Sequence, residues 1–198
     1  MASSGNIHSI DALIGRAVLS RATANKLGQV HDLVIAPADG NVVGLSVRLS
    51  DESLRLIAYR EVYSVGPDAV MIKSDESAIA VQDSPLKTLP LAKNNLTGVN
   101  VVTESGKLLG QIANIYFHLA ETLLLIYEVR SSILDKLLGH ALYFPTTEGR
   151  AISADLARVV VADDATERSN NSLEALAARL FGSPKADDPV VIVRSRGY

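Results

Sequence analysis

The residues of this chain whose types could do chemistry are four histidines, two acidic pairs and one serine-centred string. His8, His31, His118 and His140 show no metal-ligand spacing. His31 stands beside Asp32, and a histidine next to a carboxylate can serve as a base. Neighbours on a strand point to opposite faces, however, so this pair should not converge. Gly44-Leu45-Ser46-Val47-Arg48 resembles a nucleophile elbow, but the last glycine is missing and the string lies inside a predicted strand. Asp51-Glu52 and Asp75-Glu76 could share acid–base work, yet adjacency in a predicted loop points to solvation. Without cysteine the chain can form neither a disulfide nor a thiolate zinc site. Glycine-rich phosphate and dinucleotide motifs are missing too. The expectation is a protein that is not an enzyme and carries no cofactor or metal.

Arg48 and Arg130 stand apart because they recur in an internal repeat. KLGQVHDLVI at residues 26–35 is answered by KLLGQIANIYF at residues 107–117. Gly28 and Gly110, Gln29 and Gln111, and the pairs Val47-Arg48 and Val129-Arg130 are all related by an offset of 82. Leu13-Ile14-Gly15 answers Leu96-Thr97-Gly98 at an offset of 83. Loose alternation and β-branched residues predict strands at 28–35, 42–49, 54–59 and 69–72. Turn signals at Asp39-Gly40-Asn41 and Gly66-Pro67-Asp68 separate them. The second repeat predicts strands at 110–117, 123–130, 141–144 and 157–161, with about three extra residues in its second half. So many short strands in so short a span suggest small barrels that hide their edges. Gly28 and Gly110 should occupy equivalent backbone sites, either at a tight bend where a strand begins or where two backbones approach closely.

LIGRAV, KLGQVHDLVI, VVGLSVR and LIAYREVYSVGPDAVMI together resemble the PRC-barrel domain family. The resemblance spans residues 8–80 and, with weaker motifs, 93–163. It implies a mainly β chain of two tandem small PRC-type β-barrels at 8–80 and 96–163. A linker at 81–95 joins them, and a C-terminal helix and terminal strand follow at 164–198. The family includes the cytoplasmic subunit of purple bacterial reaction centres and a ribosome maturation factor. Its common role is protein binding without a shared catalytic site, and a fold does not fix a function.

Charge narrows the partner. The net charge is −3, and the two repeats and the tail each mix both signs, so the basic stripe of a nucleic-acid binder is missing. Mean hydropathy is +0.19, yet no apolar run approaches the roughly 20 residues of a membrane helix. MASSGNIHSID has neither a basic nor an apolar signal region, which predicts a cytoplasmic protein.

In the tail, Asn171 should cap a helix over 172–181 that presents Leu173, Leu176, Leu180 and Phe181 on one face. Val190 and Ile192 lie in an apolar run fit to add to a sheet edge, with Arg194 and Arg196 after it. Such a run docks either on its own barrels or on another chain. Arg48 and Arg130 would meet a partner carboxylate or form internal ion pairs, Arg48 with Glu61. The sequence thus predicts an adaptor or assembly factor for a photosynthetic or other membrane-associated complex, with membrane contact only through its protein partner and self-association possible. The alternative is an accessory factor in ribosome or RNA maturation that binds a ribosomal protein.

Overall fold

The computed structural model describes residues 7–119, 123–131, 141–146, 149–153, 157–169 and 172–181. The chain is mainly β. Its first half holds β1 (Ile7–Ser9), β2 (Ala17–Ser20), β3 (Lys26–Ile35), β4 (Val42–Leu49), β5 (Leu54–Ala58), β6 (Val62–Val65), β7 (Ala69–Ile72) and β8 (Ile79–Ala80). A short helix, α1 (Ala92–Leu96), opens the second half. It is followed by β9 (Asn100–Thr103), β10 (Leu108–Leu119), β11 (Leu123–Arg130), β12 (Leu142–Pro145), β13 (Gly149–Ile152) and β14 (Arg158–Val161). Helices α2 (Ala165–Arg168) and α3 (Leu173–Phe181) come last.

Two seven-stranded sheets result. The first runs β6-β7-β2-β3-β4-β5-β8, and the second β12-β11-β10-β9-β14-β13 with β1 added on β10. Among the described residues, backbone pairing leaves β6 and β8 at opposite ends of the first sheet. The predicted turns form as their residues dictate. Gly40 takes φ +69° and Asp39 accepts from the Asn41 amide at 3.0 Å, closing the β3–β4 turn. The Gly66 amide donates to the Ala69 carbonyl at 2.8 Å between β6 and β7.

The repeat is structural as well as textual. Gln29 pairs with Arg48 as Gln111 pairs with Arg130, and both ladders shift register at the same place, Val30 to Asp32 and Ile112 to Asn114. The parallel pair β2–β7 has its counterpart in β9–β14. Val47 pairs with Arg55 and Val129 with Leu142, so the offset rises from 82 to 87 between these strands. The second repeat therefore carries five extra residues there, not the expected three.

Three features depart from the sequence reading. His8 and Ser9, assigned to the first repeat, pair with Phe117 and Tyr116 of the second sheet. The connection between repeats contains α1, which its asparagines and single lysine do not advertise. That helix forms because Asp32 of β3 accepts from the Lys93 and Asn94 amides at 3.0 and 2.9 Å, capping it from 61 residues away. The hydroxyl of Ser172 accepts from the Ala175 amide at 3.1 Å and caps α3, whereas Asn171 lies outside the described residues. One continuous apolar core joins Val30, Leu45 and Val47 of the first half to Ile112, Tyr127 and Val129 of the second. The two halves therefore share one core.

Candidate protein-binding site

The glycine set tightest against a neighbouring strand in each sheet marks the candidate site. At Gly28 a Cβ would collide with the Arg48 carbonyl oxygen, and at Gly110 with that of Arg130. The two glycines do occupy equivalent sites, as the repeat predicts. In the first sheet this approach, beside the β2–β3 register shift between Val18 and Leu19, opens a groove of about 290 Å³. Lys26, Gln29, Arg48, Leu49, Ser50 and Glu52 line it.

Arg48 projects at the rim, half exposed, with Nη1 3.3 Å from Glu52 Oε2. The expected partner, Glu61, sits instead beside Arg60 at 3.6 Å and accepts from Ser77. The turn after β4 decides this, since it returns Glu52, at φ +65°, to the Arg48 side. Both members of the Arg48–Glu52 pair are largely in water, so the pair is worth less than about 1 kcal/mol and yields readily to another carboxylate.

Arg130 is held differently. Its Nε donates to Glu128 Oε1 at 2.6 Å, while Glu128 Oε2 accepts from Asn114 at 2.8 Å and from the Tyr116 hydroxyl at 2.9 Å. The Glu128 side chain is 2% exposed. Burial alone would raise its pKa, but the bonds from Asn114, Tyr116 and Arg130 outweigh this and hold it below the usual carboxylate range. Burial and the neighbouring Glu128 together push the Tyr116 hydroxyl up to about 12. Position 128 corresponds to Ser46 in the first repeat and 114 to Asp32, so the same strand sites carry different polar chemistry in the two halves.

The remaining chemical candidates do not converge. His31 Nδ1 lies 3.3 Å from the Ser46 hydroxyl, but Ser46 is buried at 1% exposure and Asp32 turns away to cap α1. Asp51 accepts from the Ser53 amide and hydroxyl, and these bonds lower its pKa, so it serves the turn. Asp75 accepts from Thr23 and Asn25, tying down the loop after β2; its pKa is lowered by bonds from Ser20, Thr23 and Asn25. His8 lies over Phe117 at 5.6 Å, and burial then Arg16 lower its pKa. Position 118 is on β10, and His140 lies outside the described residues. Among the described residues no group of His, Asp and Glu is arranged to hold a metal ion.

The tail helix docks rather than projects. α3 packs against β12 with Leu176 fully buried, so Leu176 is spent inside the chain and does not face a partner. Leu173 is half-buried and Leu180 is exposed. The side chain of Phe181, and Val190, Ile192, Arg194 and Arg196, lie outside the described residues. Two apolar surface residues escaped the sequence reading, Ile79 and Leu108. Leu108 is 57% exposed at the Gly110 approach, where the first repeat has Lys26. Aligning the two repeats would have exposed the exchange.

Two sheets with one repeated pairing pattern define a tandem-repeat β protein whose conspicuous surface feature is a groove at a strand approach. Residues 5–79 match the family model of the PRC-barrel domain, and this part of the chain is a PRC-barrel domain. PRC-barrel domains are found in diverse proteins, some involved in photosynthesis or ribosome maturation. No curated protein matches the chain. No helix among the described residues is long and apolar enough to cross a membrane.

Proposed function

We propose that this protein is a non-catalytic, cytoplasmic protein-binding adaptor that takes an acidic segment of its partner in the Gly28 groove. The groove itself carries the reading. Its lining brings the Lys26 and Arg48 cations together with Gln29 and Ser50, over the apolar Leu27 and Leu49 and beside the Glu52 carboxylate. Arg48 is engaged by an exposed carboxylate that an incoming one can replace. An acidic segment would gain charge-assisted hydrogen bonds there, and the preformed groove itself would lose little entropy on binding. The setting that fits the domain is a photosynthetic or other membrane-associated assembly, reached through the partner.

The test is affinity purification from the native cell with wild type and the double variant Lys26→Ala, Arg48→Ala. The expected result is a partner with an acidic stretch that is retained by wild type. Retention should fall at least about tenfold in the variant, equivalent to about 1.4 kcal/mol, and should weaken with added salt. The variant should melt at the wild-type temperature. Equal retention by both proteins would overturn the assignment to this groove. Recovery of a ribosomal protein through the same groove would move the setting to ribosome maturation.

A further inference from the structure

The segments that lead into the two repeats change places. Ser9, ahead of the first repeat, pairs with Tyr116 of the second sheet, while Leu91, ahead of the second repeat, bridges to Val34 of the first. Ser9 and Leu91 are 82 residues apart, and so are Val34 and Tyr116. One step further, His8 pairs with Phe117, and the Ile35 amide donates to the Pro90 carbonyl at 3.0 Å. These are again equivalent positions at the same offset. The buried anchors also match, with Ile10 and Leu13 in one leader and Ala92 and Leu96 in the other. Asp11 and Lys93, likewise 82 apart, form an ion pair with each other, so the two leaders meet where they cross. Below the exchange each repeat closes alike, Gly15 amide to Val30 carbonyl and Gly98 amide to Ile112 carbonyl, both at 2.8 Å.

Contacts that recur at one offset in both directions describe a local two-fold arrangement inside a single chain. A two-fold interface is self-complementary by construction, because the same patch is used twice. We infer that each repeat is a strand-accepting module whose specific ligand is the leader of the other repeat, and that the two halves hold together without the covalent connection between them. The leaders supply backbone pairing to a strand edge and apolar anchors beneath it, which is strand addition by an internal peptide. The partner that fits the surface is a second PRC-type repeat carrying its own leader. This inference stands apart from the acidic-segment reading, since none of these contacts touches the Gly28 groove.

The experiment uses the full chain with a protease recognition sequence inserted between Lys87 and Thr88, both exposed. After cleavage, the two pieces should elute together at the volume of the uncut protein at about micromolar concentration. A second measurement reads the exchange directly, because the chain has no native cysteine. In the same background, Ser9→Cys with Tyr116→Cys should oxidise to a disulfide that keeps the two cleaved pieces in one band on a non-reducing gel. Directly paired strand residues have the spacing for this. The control Ser9→Cys with Lys107→Cys, exposed in the other piece and far along the strand from Tyr116, should leave two bands. Pieces that separate on gel filtration overturn the inference, as does a disulfide that forms only between two copies of the chain.

Discussion

Asp32→Ala probes the bond that turns the connection into a helix. Asp32 is fully buried, and its Oδ1 accepts from the Leu33 amide at 2.7 Å and the Lys93 amide at 3.0 Å. Oδ2 accepts from the Asn94 amide at 2.9 Å. A hydrogen bond to a charged group contributes about 1.5–3 kcal/mol, and losing a helix cap costs up to about 2. The three bonds share one side chain and are not additive, so Asp32→Ala should cost about 3–4 kcal/mol. Asp32→Asn is the discriminating control. Its carbonyl can keep the Leu33 and Lys93 bonds, but its amide faces the Asn94 N–H, donor against donor, for a loss of about 1–2 kcal/mol. Urea denaturation followed by circular dichroism gives both values from the midpoints, provided the slope is unchanged. Hydrogen exchange at the Lys93 and Asn94 amides should accelerate in the alanine variant. A loss below about 1 kcal/mol for Asp32→Ala, or an asparagine variant less stable than the alanine one, would refute the capping argument.

Three further outcomes follow from single sites. Glu128→Ala removes the carboxylate that Asn114, Tyr116 and Arg130 share and should destabilise by about 3–5 kcal/mol in urea melts. Because the folded-state pKa of Glu128 is lowered, its contribution is present at neutral pH and is lost as pH falls through that folded value. The gap between wild type and Glu128→Gln should therefore close on acidification, and a gap constant with pH would contradict it. Tyr127→Phe removes a buried hydroxyl that has no hydrogen-bond partner among the described residues. It should be neutral or stabilising by up to about 1 kcal/mol, whereas clear destabilisation in a thermal melt would show the hydroxyl to be engaged. Gly28→Ala and Gly110→Ala each drive a methyl into a carbonyl of the neighbouring strand and should cost more than about 2 kcal/mol. Gly15→Ala, at φ +85° with open space around it, should cost only about 1 kcal/mol, so equal losses at all three would discount the close approach.

The legible parts of this chain were those set by local pattern. β4, β7 and β11 fall where alternation and turn residues put them, and Leu176 is buried as its helical spacing requires. What escaped depends on residues far apart in sequence. The helix α1 has no side-chain cap of its own, and only the fold brings Asp32 to it. Arg48 with Glu61 was a sound charge match, but the turn at 49–53 delivers Glu52 first. The repeat pointed to two equivalent glycines and two equivalent arginines, but not to what each arginine would meet. That is decided at position 128, where the second repeat has a buried carboxylate and the first has Ser46.

The divergence at that position accounts for much of the asymmetry between the halves. In the first sheet, Ser46 leaves Asp32 without a competing carboxylate on the paired strand, and Asp32 reaches the other leader to build a helical turn there. In the second sheet, Glu128 claims Asn114, the counterpart of Asp32, as a donor. The leader crossing that sheet is instead capped by its own Ser9, which accepts from the Asp11 amide at 3.2 Å, and it forms only a 3₁₀ turn over Ile10–Ala12. Glu128 also takes up Arg130, whereas Arg48 keeps only a solvent-exposed pairing with Glu52 beside an open groove. The exchange of Ser46 for Glu128, together with that of Asp32 for Asn114, thus accompanies a longer leader helix over one sheet and a different carboxylate partner for each arginine. It also yields a discriminating expectation: Glu128→Ser should release Arg130 and weaken the second sheet, while leaving capture at the Gly28 groove unchanged. If Glu128→Ser abolished partner retention while the chain stayed folded by circular dichroism, the binding site would belong to the second repeat, and the assignment to Arg48 would fall.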